Sequence, residues 1–192
     1  MFSANILDAP DKLPIKKAYE RWYQYMEQRL EFWLPDSELH TKVHSARVLL
    51  LALLIGHQKG LNDTEKDTLG MAAIFHDSRR LDDGIDKGHG SRAAEYYKAY
   101  CTEHDLPYDE LTYYITYYHD QDDSLGLSEI GKSPIIGERG VLLYQIFKDA
   151  DALDRFRLGP DALDENFLRT EEARGLVDFA KNLLQKNEEI NI

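Results

Sequence analysis

The strongest constraint on the fold of this chain is the run from Val48 to Ile55, eight apolar residues without a charge or a breaker. It is far too short to span a bilayer, which takes about 20 residues. Around it Leu39, Val43, Ala46, Leu50, Leu53 and His57 recur at spacings of three and four, which predicts one helix, capped by Ser37 and continuing to Gly60. A helix that is apolar nearly all round belongs in the interior and needs cover on every side. No alternating run long enough for a sheet and no internal repeat occurs, so that cover is expected to be helical and the fold class all-α.

The remaining helices follow from periodicity and end signals. One is expected from Ile15 to Leu34, between Pro14 and Pro35, with Tyr19, Tyr23, Met26, Leu30 and Trp33 as its packing face. Asn62-Asp63-Thr64-Glu65 reads as a capping box, opening a helix that carries Leu69, Ala72, Ala73 and His76 inward. Arg80 to Gly88, with Asp82-Asp83-Gly84, reads as a loop, followed by helices from His89 to Glu103 and from Asp109 to Asp120. Leu125 to Gly137 contains Gly126, Gly131 and Pro134 and reads as a loop, a candidate lid by its position. Glu138 to Phe156 steps through Val141, Tyr144, Lys148, Asp151 and Arg155 along one helix face. A last helix places Leu176, Phe179, Ala180 and Leu183 inward, so residues 15–34 and 170–188 flank a central region of about 37–157.

The 192 residues suit one domain with a sizeable core. Lys and Arg number 23 against 35 Asp and Glu, a formal charge of −12, so the surface as a whole should repel nucleic-acid backbone and anionic membrane. Cys101 is the single cysteine, which excludes an intramolecular disulfide and fits a reducing compartment, and the N-terminus has no signal-peptide pattern. The expected location is cytoplasmic, and a homodimer is compatible with the pattern.

Chemistry concentrates at Ala73-Ile74-Phe75-His76-Asp77-Ser78-Arg79-Arg80, where a histidine and an aspartate follow an apolar run. His44 lies upstream in Val43-His44-Ser45-Ala46-Arg47, and Asp151 lies downstream in Lys148-Asp149-Ala150-Asp151-Ala152-Leu153, each on its own predicted helix. Neutral imidazole with carboxylate is a ligand set for a borderline or hard divalent ion. The order His, then His-Asp, then Asp resembles the HD-domain superfamily of metal-dependent phosphohydrolases, over roughly Ser37 to Arg157. His89, in Lys87-Gly88-His89-Gly90-Ser91, and His119, in Ile115-Thr116-Tyr117-Tyr118-His119, fall where binuclear branches of that family carry further ligands. The resemblance therefore implies an HD-type helical bundle holding one or two divalent ions (Mn, Mg, Co, Ni, Zn or Fe) on His44, His76, Asp77, His89, His119 and Asp151. In binuclear members the equivalent of Asp77 bridges the two ions.

What the resemblance implies for activity is hydrolysis of a phosphomonoester or phosphodiester in a small phosphorylated molecule, with a nucleotide among the candidates. Such hydrolysis is extremely slow in water, and metal ions activate water while neutralising charge on the phosphoryl group. Positive side chains for the phosphate are offered by Arg80, three residues after Asp77, by Arg92, and by Lys148 and Arg155, one turn either side of Asp151. Asp77, Arg80 and Lys148 are the catalytic candidates. Lys148 and Arg155 have an equally adequate account as helix-face partners of Asp151 or Asp154. His57, roughly 220° round the helix from His44, cannot share its site; His57, His104 and His40 read as surface or hydrogen-bonded residues, with His40 placed to support a ligand. Eight of the twelve tyrosines lie between Tyr96 and Tyr118 and read as packing, although they could stack on a nucleobase. The alternatives are a diiron oxygenase of the same superfamily, which uses the same six ligand types, and a non-catalytic metal- or nucleotide-binding regulator.

Overall fold

The computed structural model describes residues 7–9, 12–37, 39–133 and 136–188. Among these it is helical throughout, with nine α-helices, two short 3-10 segments and no strand. The central element is α2 (Lys42–Gln58), in which Val48 to Ile55 are all buried. It is covered by α1 (Leu13–Arg29), α3 (Asp63–Phe75) and α7 (Gly137–Leu153). Helices α4 (His89–Glu103), α5 (Glu110–Tyr118) and α6 (Asp123–Lys132) form a second group, with α5 packed on α3 and α6 packed on α7. Helices α8 (Glu171–Arg174) and α9 (Val177–Glu188) close the chain, and α9 turns Leu183, Ala180 and Val177 inward. None of these helices is long and apolar enough to cross a membrane.

Local chemistry explains most of the boundaries. The capping box forms as expected: Asn62 Oδ1 accepts from Glu65 N–H at 3.0 Å, and Glu65 Oε2 accepts from Asn62 N–H at 2.8 Å. The helix after it ends at Phe75, so His76 and Asp77 stand at a C-terminus rather than inside a helix. Helix α4 has the expected bounds, and Gly88 before it has φ of 84°, a conformation that glycine adopts without steric cost.

Four expectations are corrected. The first helix stops at Arg29, and Leu30 to Leu34 run on without helix; Trp33, expected in its packing face, is 54% exposed and instead lies beneath the Arg79 guanidinium at 5.3 Å. Ser37 does not cap α2. Its hydroxyl accepts from the Leu39 and His40 N–H groups in a preceding turn, while Thr41 caps α2 through Val43 and His44. The helix therefore starts later, and Val43, expected inside, faces solvent. The segment read as a loop from Leu125 to Gly137 is mostly α6, capped by Asp122. Gly126 is a packing glycine there: a Cβ would lie 2.5 Å from the Tyr144 ring, which closes over it. Pro134 lies outside the described residues. Helix α6 is packed on α7 and α5, and none of its residues lines the cavity described below. Finally α7 ends at Leu153 and tightens into a 3-10 turn, Asp154–Leu158, which changes the direction of Arg155 and Arg157.

Candidate metal centre

Five elements converge on one point. His44 sits in the first turn of α2, His76 and Asp77 follow α3, His89 opens α4, His119 follows α5, and Asp151 lies in the last turn of α7. All six are buried except Asp151, whose side chain is 30% exposed. The structure thus brings together every residue of the expected ligand set.

Their orientation follows from the helix termini. The carbonyls at a helix C-terminus have no partner within the helix. His76 Nδ1 donates to Ala73 O at 2.8 Å and His119 Nδ1 to Thr116 O at 2.7 Å, each three residues back. His89 Nδ1 donates to Asp86 O at 2.7 Å, and His44 Nδ1 to Asp154 Oδ2 at 2.6 Å. A carbonyl or a carboxylate can only accept, so each ring carries its proton on Nδ1 and turns a bare Nε2 lone pair inward. This is the arrangement in which an acceptor on one ring nitrogen prepares the other as a metal ligand.

Those lone pairs face each other in two pairs. His44 Nε2 and His76 Nε2 are 3.1 Å apart, with Asp151 Oδ1 3.4 Å from His44 Nε2, and Asp77 Oδ2 3.5 Å from His44 and 3.7 Å from His76. His89 Nε2 and His119 Nε2 are 2.9 Å apart, with Asp77 Oδ1 at 3.1 and 3.6 Å. Each carboxylate oxygen of Asp77 therefore serves a different pair. Donors about 2.0–2.2 Å from one ion are separated by roughly 3.0–3.4 Å at right-angle or tetrahedral geometry, close to these spacings. Two facing lone pairs repel unless a cation or proton lies between them, so the donor set fits divalent ions.

The charge states agree with that description. Burial opposes ionisation of Asp77, but the surrounding histidines, His76 foremost, hold its carboxyl well below the usual range. Asp151 is likewise held low, against burial, by His44. Burial pushes the His76 imidazole down to about 3. His44 and His89 move the other way: burial disfavours their charge, yet Asp151 and Asp154 raise the first and Asp77 raises the second.

Three supporting residues escaped the sequence reading or were undervalued by it. His40 is buried, and its Nδ1 lies 2.8 Å from Asp77 Oδ2, so it belongs to the centre rather than the surface. Its position one turn before His44 was the only signal. Asp154 holds His44 and is gripped in turn by Arg47 through Nε and Nη2. Arg47 occurs one turn after His44 and Asp154 one turn after Asp151, spacings that put each beside a ligand, but their pairing across 107 residues had no signature. His57 and His104 are exposed; His104 stacks on Tyr100 at 4.0 Å.

A cavity of about 800 Å³ opens onto the centre, lined by Asp77, His89, His119 and Asp151. Six cations also line it, a high share for so acidic a chain. Arg80 is buried, with Nη1 3.2 Å from His89 Nε2 and 3.6 Å from Asp77 Oδ1, so its charge faces the second pair. Lys148 donates to His119 O at 2.7 Å and Gln121 O at 3.1 Å and pairs with Asp123 at 3.1 Å, which occupies all three ammonium protons. Arg92 does not line this cavity, which corrects its expected phosphate contact: it binds Asp86 at 2.5 Å and Arg79 O at 3.1 Å behind the site. Arg155 lies on the outer rim. No tyrosine lines the cavity; the cluster from Tyr96 to Tyr118 packs largely on itself.

Comparison of the chain with protein-family models, with curated proteins and with solved structures finds no significant match.

Proposed function

We propose that this protein is a divalent-metal-dependent phosphohydrolase of HD type, acting on a small phosphorylated molecule at a binuclear centre. The observation that carries the reading is the division of four Nε2 atoms into two facing pairs, each presented with a different oxygen of Asp77. His44, His76, Asp151 and Asp77 Oδ2 would hold one ion, and His89, His119 and Asp77 Oδ1 the other. Divalent ions bound there supply Lewis acidity toward a phosphoryl oxygen and make water nucleophilic near neutral pH. The chain's own contribution is to fix the four imidazoles in one tautomer, to present both oxygens of Asp77, and to turn Arg80 toward the same space. Asp151, the most exposed of the ligand candidates, marks the side from which substrate would approach.

A second reading is favoured by one feature, the predominance of nitrogen among the donors, four imidazoles to two carboxylates, which also suits iron. On that reading the protein is a diiron oxygenase. Purified protein reconstituted separately with Mn, Mg, Co, Ni, Zn or Fe and tested on a panel of phosphate esters separates the two. Phosphate release that is lost in His76→Ala and Asp77→Ala supports the hydrolase. Oxygen uptake with an organic substrate, and no phosphate from any ester, replaces it with the oxygenase.

A further inference from the structure

The six cations around the cavity are not equivalent. Arg80, Arg157, Arg169 and Lys148 spend their donors on the protein: Arg169, for example, pairs with both Asp123 and Asp149, and Arg157 binds Leu39 O and Asp154 O. Lys87 and Arg155 do not. Among the described residues the only side-chain hydrogen bond of Arg155 runs from Nε to Ala162 O at 3.0 Å, and neither its Nη groups nor the Lys87 ammonium has a partner. Asp164, on the same stretch of rim, is occupied by the N–H and the amide of Asn166.

Both free charges are exposed and line the cavity, Lys87 in the loop before α4 and Arg155 in the turn after α7. Apolar side chains accompany them. Ile85 is 91% exposed, Phe167 70% and Leu158 44%, and all three line the same cavity. Large exposed apolar side chains at a cavity mouth mark a surface that gains from contact with a ligand. The inner end is rich in ligand atoms and the outer end in unpaired positive charge and apolar surface.

We infer that the substrate is an organic phosphate carrying a second anionic group, a carboxylate or another phosphate, remote from the one held at the metal centre, and that Lys87 and Arg155 select it. The inner anchor rests on the proposed phosphohydrolase reading, whereas the selectivity rests on the rim alone. A simple monoanionic ester would leave both rim charges unused. A chain of inorganic phosphates would leave Ile85, Leu158 and Phe167 in water.

The test uses metal-loaded protein titrated with benzylphosphonate and with 4-carboxybenzylphosphonate, which cannot be hydrolysed and differ only in the remote carboxylate. The carboxylated compound is expected to bind about tenfold more tightly, the effect of two partly exposed charge pairs. In Arg155→Gln and in Lys87→Gln that ratio should fall toward one while metal content stays the same. Equal affinities in the wild type, including no binding of either compound, or a ratio that survives both substitutions, would overturn the inference. Phosphate release from 4-carboxybenzyl phosphate by the same preparations reports separately on the proposed function. A retained ratio without turnover supports the selective rim and removes the hydrolase, and turnover without a ratio does the reverse.

Discussion

Removing Asp154 should expose how the buried ion pair and the metal centre share one carboxylate. Asp154 is buried, accepts from His44 Nδ1 at 2.6 Å, and is held by Arg47 through Nε and, at 2.9 Å, Nη2. Burial works against its charge, but His44 and Arg47 keep its carboxyl below the usual range. In Asp154→Ala the buried Arg47 guanidinium loses its counter-charge, a change that costs about 3–5 kcal/mol and is a large part of a typical stability of roughly 5–15 kcal/mol. His44 also loses the acceptor that fixes its tautomer, which typically costs about 10–100-fold in metal affinity, or roughly 1.4–2.8 kcal/mol. The double variant Arg47→Met with Asp154→Leu separates the effects. Replacing both charges by apolar groups of similar size should recover most of the stability. It should not recover the metal affinity, because His44 Nδ1 still has no partner. Urea unfolding of metal-free protein gives the first quantity, and competition with a chromogenic chelator gives the second. A double variant that binds metal as tightly as wild type would refute the claim that Asp154 prepares His44 as an Nε2 ligand. A loss under about 1 kcal/mol in Asp154→Ala would refute the ion-pair accounting.

His119→Ala and His89→Ala should each lower the bound metal from two equivalents to one, read by elemental analysis, whereas exposed His57→Ala should keep both; identical stoichiometry in all three would reject the binuclear centre. Gly90→Ala should loosen the second position. Its Cβ would stand 2.6 Å from Asp120 Oδ1 and 2.9 Å from both Thr116 O and Tyr117 O, so α4 must lift from α5, at about 1–3 kcal/mol by thermal unfolding. Unchanged stability there would show that the helices have slack.

Much of this architecture was legible because it is encoded locally. Asn62 and Glu65 satisfy one another within four residues, and α4 is bounded as its residues indicate. What was misread depends on partners distant in sequence. Gly126 and Gly131 look like breakers until Tyr144 is seen to need the space at Gly126. Trp33 continues the helical spacing of Tyr19, Tyr23, Met26 and Leu30, yet its own N–H is taken by Ser78 O at 3.0 Å, outside any helix. The six ligand candidates could be named because their types and order resemble a known ligand pattern. Their supporting groups could not, since Asp154 and Arg157 reach His44 and His40 across more than a hundred residues.

The same distinction changes what the cations are for. Side-chain chemistry alone makes Arg80 and Lys148 look like phosphate ligands, but four imidazoles with their lone pairs turned together are a mutually repulsive arrangement that the fold must hold. The cations do much of that holding. Lys148 grips the carbonyl of His119 itself, Arg92 grips Arg79 O and the Asp86 side chain beside His89, Arg157 grips Leu39 O next to His40, and Arg80 ties Asp82 O and Gly84 O in the loop between Asp77 and His89. Each of these donors ends on the backbone or on a carboxylate next to a ligand, so their positive charge is spent on keeping ligand segments in place. Among the described cations that line the cavity, the two at the rim hold nothing of this kind, whereas Arg80 also turns Nη1 toward His89 and Asp77. In an acidic chain, much of the positive charge around the centre thus braces the ligand cluster.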